Sequence, residues 1–150
     1  MNIQRVKQGA KITFFNGIYI SIFGLFYIFF SKYILKENFR AIHVFWNVFE
    51  KYNPALAKTL NFLNFTIGIL FISIGIFIMY LSYFIIKRKE KITWVILFIA
   101  GIICWAGILT ISIFIKNILL IFLSGLGWFI FVLGMLLPIR YYLEKTYREY

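Results

Sequence analysis

The sequence predicts an all-α integral membrane protein: an antiparallel bundle of four transmembrane helices with a short interfacial helix in the first outer loop. Hydrophobic residues make up 63% of the 150 residues and charged residues only 14%, whereas soluble domains contain about 45–50% apolar residues even with glycine counted. Asp, Glu, Lys and Arg are absent from residues 12–31, 59–86, 92–115 and 117–139. Each run has at least 20 residues, the helical length that crosses a bilayer core of about 30 Å.

The first predicted helix covers residues 11–33. Its apolar run, residues 12–31, follows Arg5, Lys7 and Lys11, as the apolar core of a signal sequence would. The run is longer than such a core, however, and no small-residue cleavage pattern follows it, so we expect it to remain as a transmembrane helix. The second helix, residues 54–87, begins after Asn53 because asparagine caps helices and proline is tolerated at the first helical position.

The third and fourth helices are predicted over residues 91–115 and 117–140, within a single domain that covers residues 1–150. The two helices are joined across Lys116-Asn117 by a very tight turn, so they must be antiparallel neighbours. Cys104 lies in the third run and has no second cysteine to pair with. We expect it to pack between helices, the alternative being a reactive or dimer-forming thiol.

The basic residues predict the orientation of the chain in the cell membrane. The net charge is +11, and the basic residues cluster at the ends of apolar runs, where they can meet anionic headgroups. They form no soluble basic surface, so we do not expect nucleic acid as a partner. Residues 87–91 hold four basic residues in five positions, and the positive-inside rule places such a loop in the cytoplasm. We therefore expect a multi-pass protein with both termini cytoplasmic.

Small residues recur seven positions apart in the uncharged runs. Because helix association in lipid depends on van der Waals contact, positions without side chains favour close helix packing. The predicted packing residues are Gly17 and Gly24 in the first helix, Gly68 and Gly75 in the second, Gly107 in the third, and Gly127 and Gly134 in the fourth. The first two helices also match each other at an offset of 51 positions, which indicates either an inverted repeat or convergence on one packing stripe.

No ionisable carboxylate, amine, guanidinium or imidazole occurs in the four runs. Proton-coupled carriers and voltage sensors need such groups, so the sequence disfavours both classes. Neutral polar residues remain near the predicted outer ends: Asn61 and Asn64 in the second helix and Thr110 in the third. They either bond to neighbouring helices or line a small outward-facing pocket.

The first outer loop has helical periodicity on two faces. Its apolar residues Phe39, Ile42, Phe45, Trp46 and Phe49 are spaced for one face, and Arg40, His43, Asn47 and Glu50 are spaced for another. This pattern predicts an interfacial helix over residues 37–51. The helix is either an anchor alone or a binding site formed by Arg40, His43, Trp46, Asn47 and Glu50.

The residue inventory predicts no catalytic set, no metal site and no cofactor. The chain has one histidine, one cysteine and no aspartate, which excludes a Ser-His-Asp triad. We therefore expect a non-enzymatic helical subunit or scaffold that binds lipid or other membrane proteins. The alternatives are an oligomeric transporter or channel for a small or lipophilic solute, and an enzyme that acts on a lipid or quinone through His43. The expected partners are the lipid bilayer and a second copy or another membrane protein.

Overall fold

The computed structural model describes residues 2–148, and every element in that range is an α-helix. Positions 1, 149 and 150 of the predicted domain lie outside the described residues. The elements are α1 (Asn2–Phe29), α2 (Ser31–Ala41), α3 (Trp46–Tyr52), α4 (Pro54–Arg88), α5 (Lys91–Ile115), α6 (Ile118–Leu136) and α7 (Ile139–Arg148). Four of these helices, α1, α4, α5 and α6, are long and apolar enough to cross a membrane.

The helix α1 begins earlier than the predicted residue 11 because an apolar stripe continues through the charged arm. Val6, Ala10 and Thr13 lie at helical spacing and are buried. Lys7 and Lys11 are exposed, so the arm keeps its charges in polar surroundings while it extends the buried face. At the other end of the chain, α6 stops at Leu136, short of the predicted residue 140, and α7 follows after Pro138.

The helix predicted over residues 37–51 is divided in the structure. The helix α2 ends at Ala41 and α3 begins at Trp46, because His43 adopts a left-handed conformation with φ of 60°. Val44 N donates to Phe39 O at 2.9 Å and His43 N to Arg40 O at 3.0 Å, the pair of bonds that terminates a helix in a Schellman motif. The sequence gives no warning of this break, since glycine is the usual residue there.

The helix α1 lies against α4 along a seam of glycines. A Cβ atom added at Gly24 would lie 2.6 Å from the carbonyl oxygen of Gly68, and one added at Gly17 would lie 2.8 Å from that of Gly75. The Ser31 hydroxyl continues the seam by donating to Asn61 Oδ1 at 3.2 Å. The contacts thus pair later residues of α1 with earlier residues of α4, and the two backbones are in direct contact.

A neighbouring face of α1 approaches α6 in the same way. A Cβ added at Gly9 would lie 2.5 Å from the carbonyl oxygen of Gly134, and one added at Gly134 would lie 3.0 Å from Thr13 N. Gly127 instead receives the ring of Trp105 from α5. Glycines on α6 therefore admit the backbone of α1 and a large side chain of α5.

The packing glycine of α5 is Gly101, and the predicted Gly107 faces open space. No atom lies within 4 Å of a Cβ added at Gly107, whereas one added at Gly101 would meet the ring of Phe131. The buried stripe of α5 contains Trp94, Leu97 and Trp105 as well as Gly101. Gly107 lies seven positions after Ala100, on the stripe of small residues that the sequence predicts for this helix. Ala100 precedes Gly101 by one residue, which at 3.6 residues per turn places the predicted stripe about 100° around the helix from the buried one.

A buried polar cluster joins α1, α5 and α6. Asn16 and Trp105 are both fully buried. The Trp105 indole donates to Asn16 Oδ1 at 3.0 Å, and Asn16 Nδ2 donates to the carbonyl oxygen of Gly127 at 2.7 Å. The single amide thus satisfies one group on each of the other two helices, in surroundings where water is excluded.

The helix α7 packs beneath the start of α5. Tyr142 stacks on Trp94 with ring centroids 5.1 Å apart. Burial raises the pKa of Tyr142 to about 12, with a smaller contribution from Tyr141, so the phenol stays neutral in the physiological range.

The glycine seam predicts opposite effects for one substitution at two sites. We expect Gly24→Ala to lower the free energy of unfolding by about 1–3 kcal/mol, because the new methyl group meets the backbone of Gly68 and forces the helices apart. Gly107→Ala, the matched control, should be neutral or stabilising by up to about 1 kcal/mol through helix propensity. Thermal unfolding in detergent measures both, and equal melting temperatures would contradict the seam.

The buried amide predicts a coupled loss of stability. Asn16→Leu leaves the Trp105 N–H and the Gly127 carbonyl unpaired, and we expect a cost of about 1–3 kcal/mol. The same change in a Trp105→Phe background should cost less, because one of the unpaired groups is already gone. Ser73→Ala, which removes an exposed hydroxyl bonded within α4, is the control. Additive effects of the two substitutions would argue against the cluster.

Candidate functional site

A groove with a volume of about 1080 Å³ opens between α1 and α6, at the end of the molecule where α2 lies. We call it the α1–α6 groove. Its walls are apolar side chains at helical spacing: Tyr19, Ile22, Phe23 and Phe26 of α1, and Ile118, Leu119, Phe122 and Leu123 of α6. Its rim carries polar and charged side chains: Glu37 and Arg40 of α2, His43 after it, and Lys116 and Asn117 of the α5–α6 turn.

The groove exists because the residues between α1 and α6 change in size along the helices. The two backbones touch at Gly9 and Gly134. Further toward α2 the facing residues are large, and the Tyr19 hydroxyl spans the gap to donate to the carbonyl oxygen of Leu123 at 2.8 Å. Small residues permit close approach and large ones prevent it, so the helices separate toward the rim.

A side-chain hydrogen bond ties α2 to the α5–α6 turn at the rim. Asn117 Nδ2 donates to Asn38 Oδ1 at 2.7 Å, while Asn117 Oδ1 accepts from Leu120 N at 3.2 Å and so caps α6. Ile34 of α2 packs in the same buried cluster as Leu120. These contacts bring Arg40 and Lys116, which are far apart in sequence, to one edge of the groove.

The cations at the rim are exposed and weakly paired. Arg40 lies 3.9 Å from Glu37, and the Arg40 side chain is 81% exposed. Such a pair contributes about 1 kcal/mol at most. Among the side chains that the structure describes, those of residues 3–143, no carboxylate lies at ion-pair distance from Lys116.

The five residues predicted for the outer-loop site lie in separate places. Arg40 and His43 line the groove, whereas Trp46 is buried with Leu35 and Ala57 in a small core beside α4. Asn47 is exposed. Glu50 pairs with Lys32 at 3.6 Å, next to a second cavity of about 530 Å³. The break at His43 causes this division, because α3 no longer continues the face of α2.

The structure places Asn61, Asn64 and Thr110 in separate surroundings. Asn61 lines the second cavity, and Asn64 Nδ2 donates to the Ser31 carbonyl at 3.4 Å. Thr110 is exposed on α5. The physical reason is that α4 turns its polar residues toward the α1–α2 junction, where they bond to Ser31, and away from α5.

Sequence reasoning missed most of the groove. The sequence predicts Lys116 and Asn117 only as a turn, and Glu37 only as a residue that could orient His43. The wall residues Tyr19 and Phe26 do follow helical spacing. The other faces of the membrane-length part of this helix are also apolar, however, so hydrophobic periodicity does not single out the face that lines the groove.

The arrangement suits the binding of an amphiphile. The walls offer apolar contact, and the rim offers hydrogen-bond donors with positive charge. In the described part of the chain, no group of three or more His, Cys, Asp or Glu side chains could hold a metal ion.

The chain matches no protein-family model, no curated protein and no solved structure.

Proposed function

We propose that the chain is a non-enzymatic, multi-pass protein of the cell membrane, a helical scaffold or subunit that holds a lipid in the α1–α6 groove. The observation that carries this proposal is the composition of the groove, which has apolar walls on α1 and α6 and a charged rim at one end only. A lipid has the same division between chain and headgroup.

The proposal places the four long helices in the bilayer as an antiparallel bundle. Two-residue connections join α4 to α5 and α5 to α6, which supports reversal at each turn. Phe114 and Ile118 are 81% and 83% exposed, an arrangement that is costly in water but ordinary against lipid tails. In this placement α2, α3 and the groove rim lie at the outer surface, and the loop around Lys89 lies in the cytoplasm.

The depth of the groove fits one leaflet. From Tyr19 to Phe26 the helix α1 rises about 10 Å at 1.5 Å per residue, and half of a bilayer core is about 15 Å. A lipid chain in the groove would therefore stay in the outer leaflet with its headgroup beside Arg40 and Lys116. The groove volume of about 1080 Å³ lies just above the range of about 300–1,000 Å³ that is typical of small-molecule pockets.

The packed interior supports a scaffold over a transporter with a path through one chain. Ile20, Trp105 and Phe131 are fully buried and belong to one cluster between the long helices. The groove, by contrast, opens sideways, toward the region that lipid would occupy.

The orientation is tested by cysteine labelling in a Cys104→Ala background. We expect a membrane-impermeant maleimide to label Asn47→Cys in intact cells, and to label Glu90→Cys only after permeabilisation. Both positions are exposed, so accessibility in the folded protein does not differ between them. Labelling of Glu90→Cys in intact cells would reverse the proposed topology.

Lipid occupancy is tested by filling the groove. We expect the purified protein to retain one lipid per chain in native mass spectrometry, and Ile22→Trp or Leu119→Trp to lower that occupancy several-fold, because the indole occupies the space of the lipid chain. Ile103→Trp, on an exposed face of α5, is the matched control. An unchanged melting temperature shows that each variant is folded, and undiminished retention in both groove variants would refute the site.

A further inference from the structure

We propose that the rim of the α1–α6 groove selects lipids with a net negative headgroup, and that Arg40 and Lys116 bind the phosphodiester between them. This inference rests on the proposed function and adds the chemical class of the lipid. It rests on three features of the rim residues: their net charge, their weak ion pairing with carboxylates, and the hydrogen bonds that fix their backbone.

The charge balance of the rim favours an anion. Among the described residues of the groove lining, Arg40 and Lys116 carry two positive charges and Glu37 carries one negative charge. A phosphodiester with no cation of its own balances this excess. A zwitterionic headgroup carries a positive group of its own, which is repelled by the excess positive charge of the rim. Its phosphate therefore binds less favourably than that of an anionic headgroup.

The two cations have donors available for a phosphate. The Glu37 carboxylate lies at 3.9 Å from Arg40, too far for the short contacts of about 2.7–2.9 Å that mark strong charge-assisted bonds. Arginine has five N–H donors and lysine three. A phosphate between the two side chains can therefore bind without displacing a strong ion pair.

The backbone at the rim is held in place before any lipid binds. Lys116 N donates to Ile113 O at 3.0 Å and Asn117 N to Ser112 O at 3.3 Å, which fixes the turn. The bond from Asn117 to Asn38 at 2.7 Å fixes α2 against it. The helix α6 begins at Ile118, next to Lys116, so the positive end of its dipole adds to the attraction for an anion.

Headgroup selection is tested by competition among lipids. The full-length protein is reconstituted in an equimolar mixture of phosphatidylglycerol, phosphatidylethanolamine and phosphatidylcholine, and the retained lipid is identified by native mass spectrometry. We expect phosphatidylglycerol to be enriched over both others. Arg40→Gln and Lys116→Gln should each reduce that enrichment about fivefold, the ratio for about 1 kcal/mol per basic residue near an anionic lipid.

Two control variants distinguish binding at the groove rim from a general effect of surface charge. Lys32→Gln removes a basic residue at the same end of the molecule but outside the groove lining, and it should leave the enrichment unchanged. Ile22→Trp should lower the amount of retained phosphatidylglycerol several-fold. If Lys32→Gln acts like the two rim variants, or if Ile22→Trp leaves the retained amount unchanged, the selection arises from general surface charge and the inference is overturned.

The remaining outcomes separate this inference from the proposed function. One retained lipid per chain with no preference for phosphatidylglycerol, or with equal enrichment of phosphatidylethanolamine, overturns headgroup selection and leaves the lipid site standing. Loss of retained lipid from the unmodified protein overturns both.

Discussion

Direct backbone contact between α1 and its two neighbours is the constraint on which the rest of the structure depends. Apolar side chains gain little by leaving a hydrocarbon solvent, so helices there associate through close van der Waals contact. On one face α1 meets α4 where Gly24 faces Gly68, and on a neighbouring face it meets α6 where Gly9 faces Gly134. A methyl group at any of these positions would collide with backbone, which cannot move aside as a flexible side chain can.

The same constraint explains the groove. Glycine brings α1 and α6 together at one end, and large residues such as Tyr19 keep them apart at the other. The separation is thus a consequence of packing elsewhere along the same pair of helices. The α1–α6 groove therefore lies next to a turn whose lysine and asparagine are polar. The functional proposal rests on this combination of apolar walls and polar rim.

Hydrogen bonds supply the specificity that apolar contact lacks. Asn16 joins α1 to α5 and α6 in the interior, and Asn117 joins the α5–α6 turn to α2 at the rim. Each bond requires a particular alignment of its helices along their axes, because an unpaired amide in a dry interior costs about 1–3 kcal/mol. Glycines set how closely the helices approach, and these amides set how they align.

The sequence by itself determined the four long apolar helices, because absence of charge over 20 or more residues is a local property that the bilayer thickness converts directly into helix length. It also marked the stripe that contains Gly17 and Gly24, since spacing along one helix needs no knowledge of a partner. Only the tertiary structure decided that Gly101 packs where Gly107 was expected, that His43 ends α2, and that Arg40 and Lys116 line the same groove. These features depend on which faces of uniformly apolar helices meet, and a sequence without polar contrast between its faces does not record that choice.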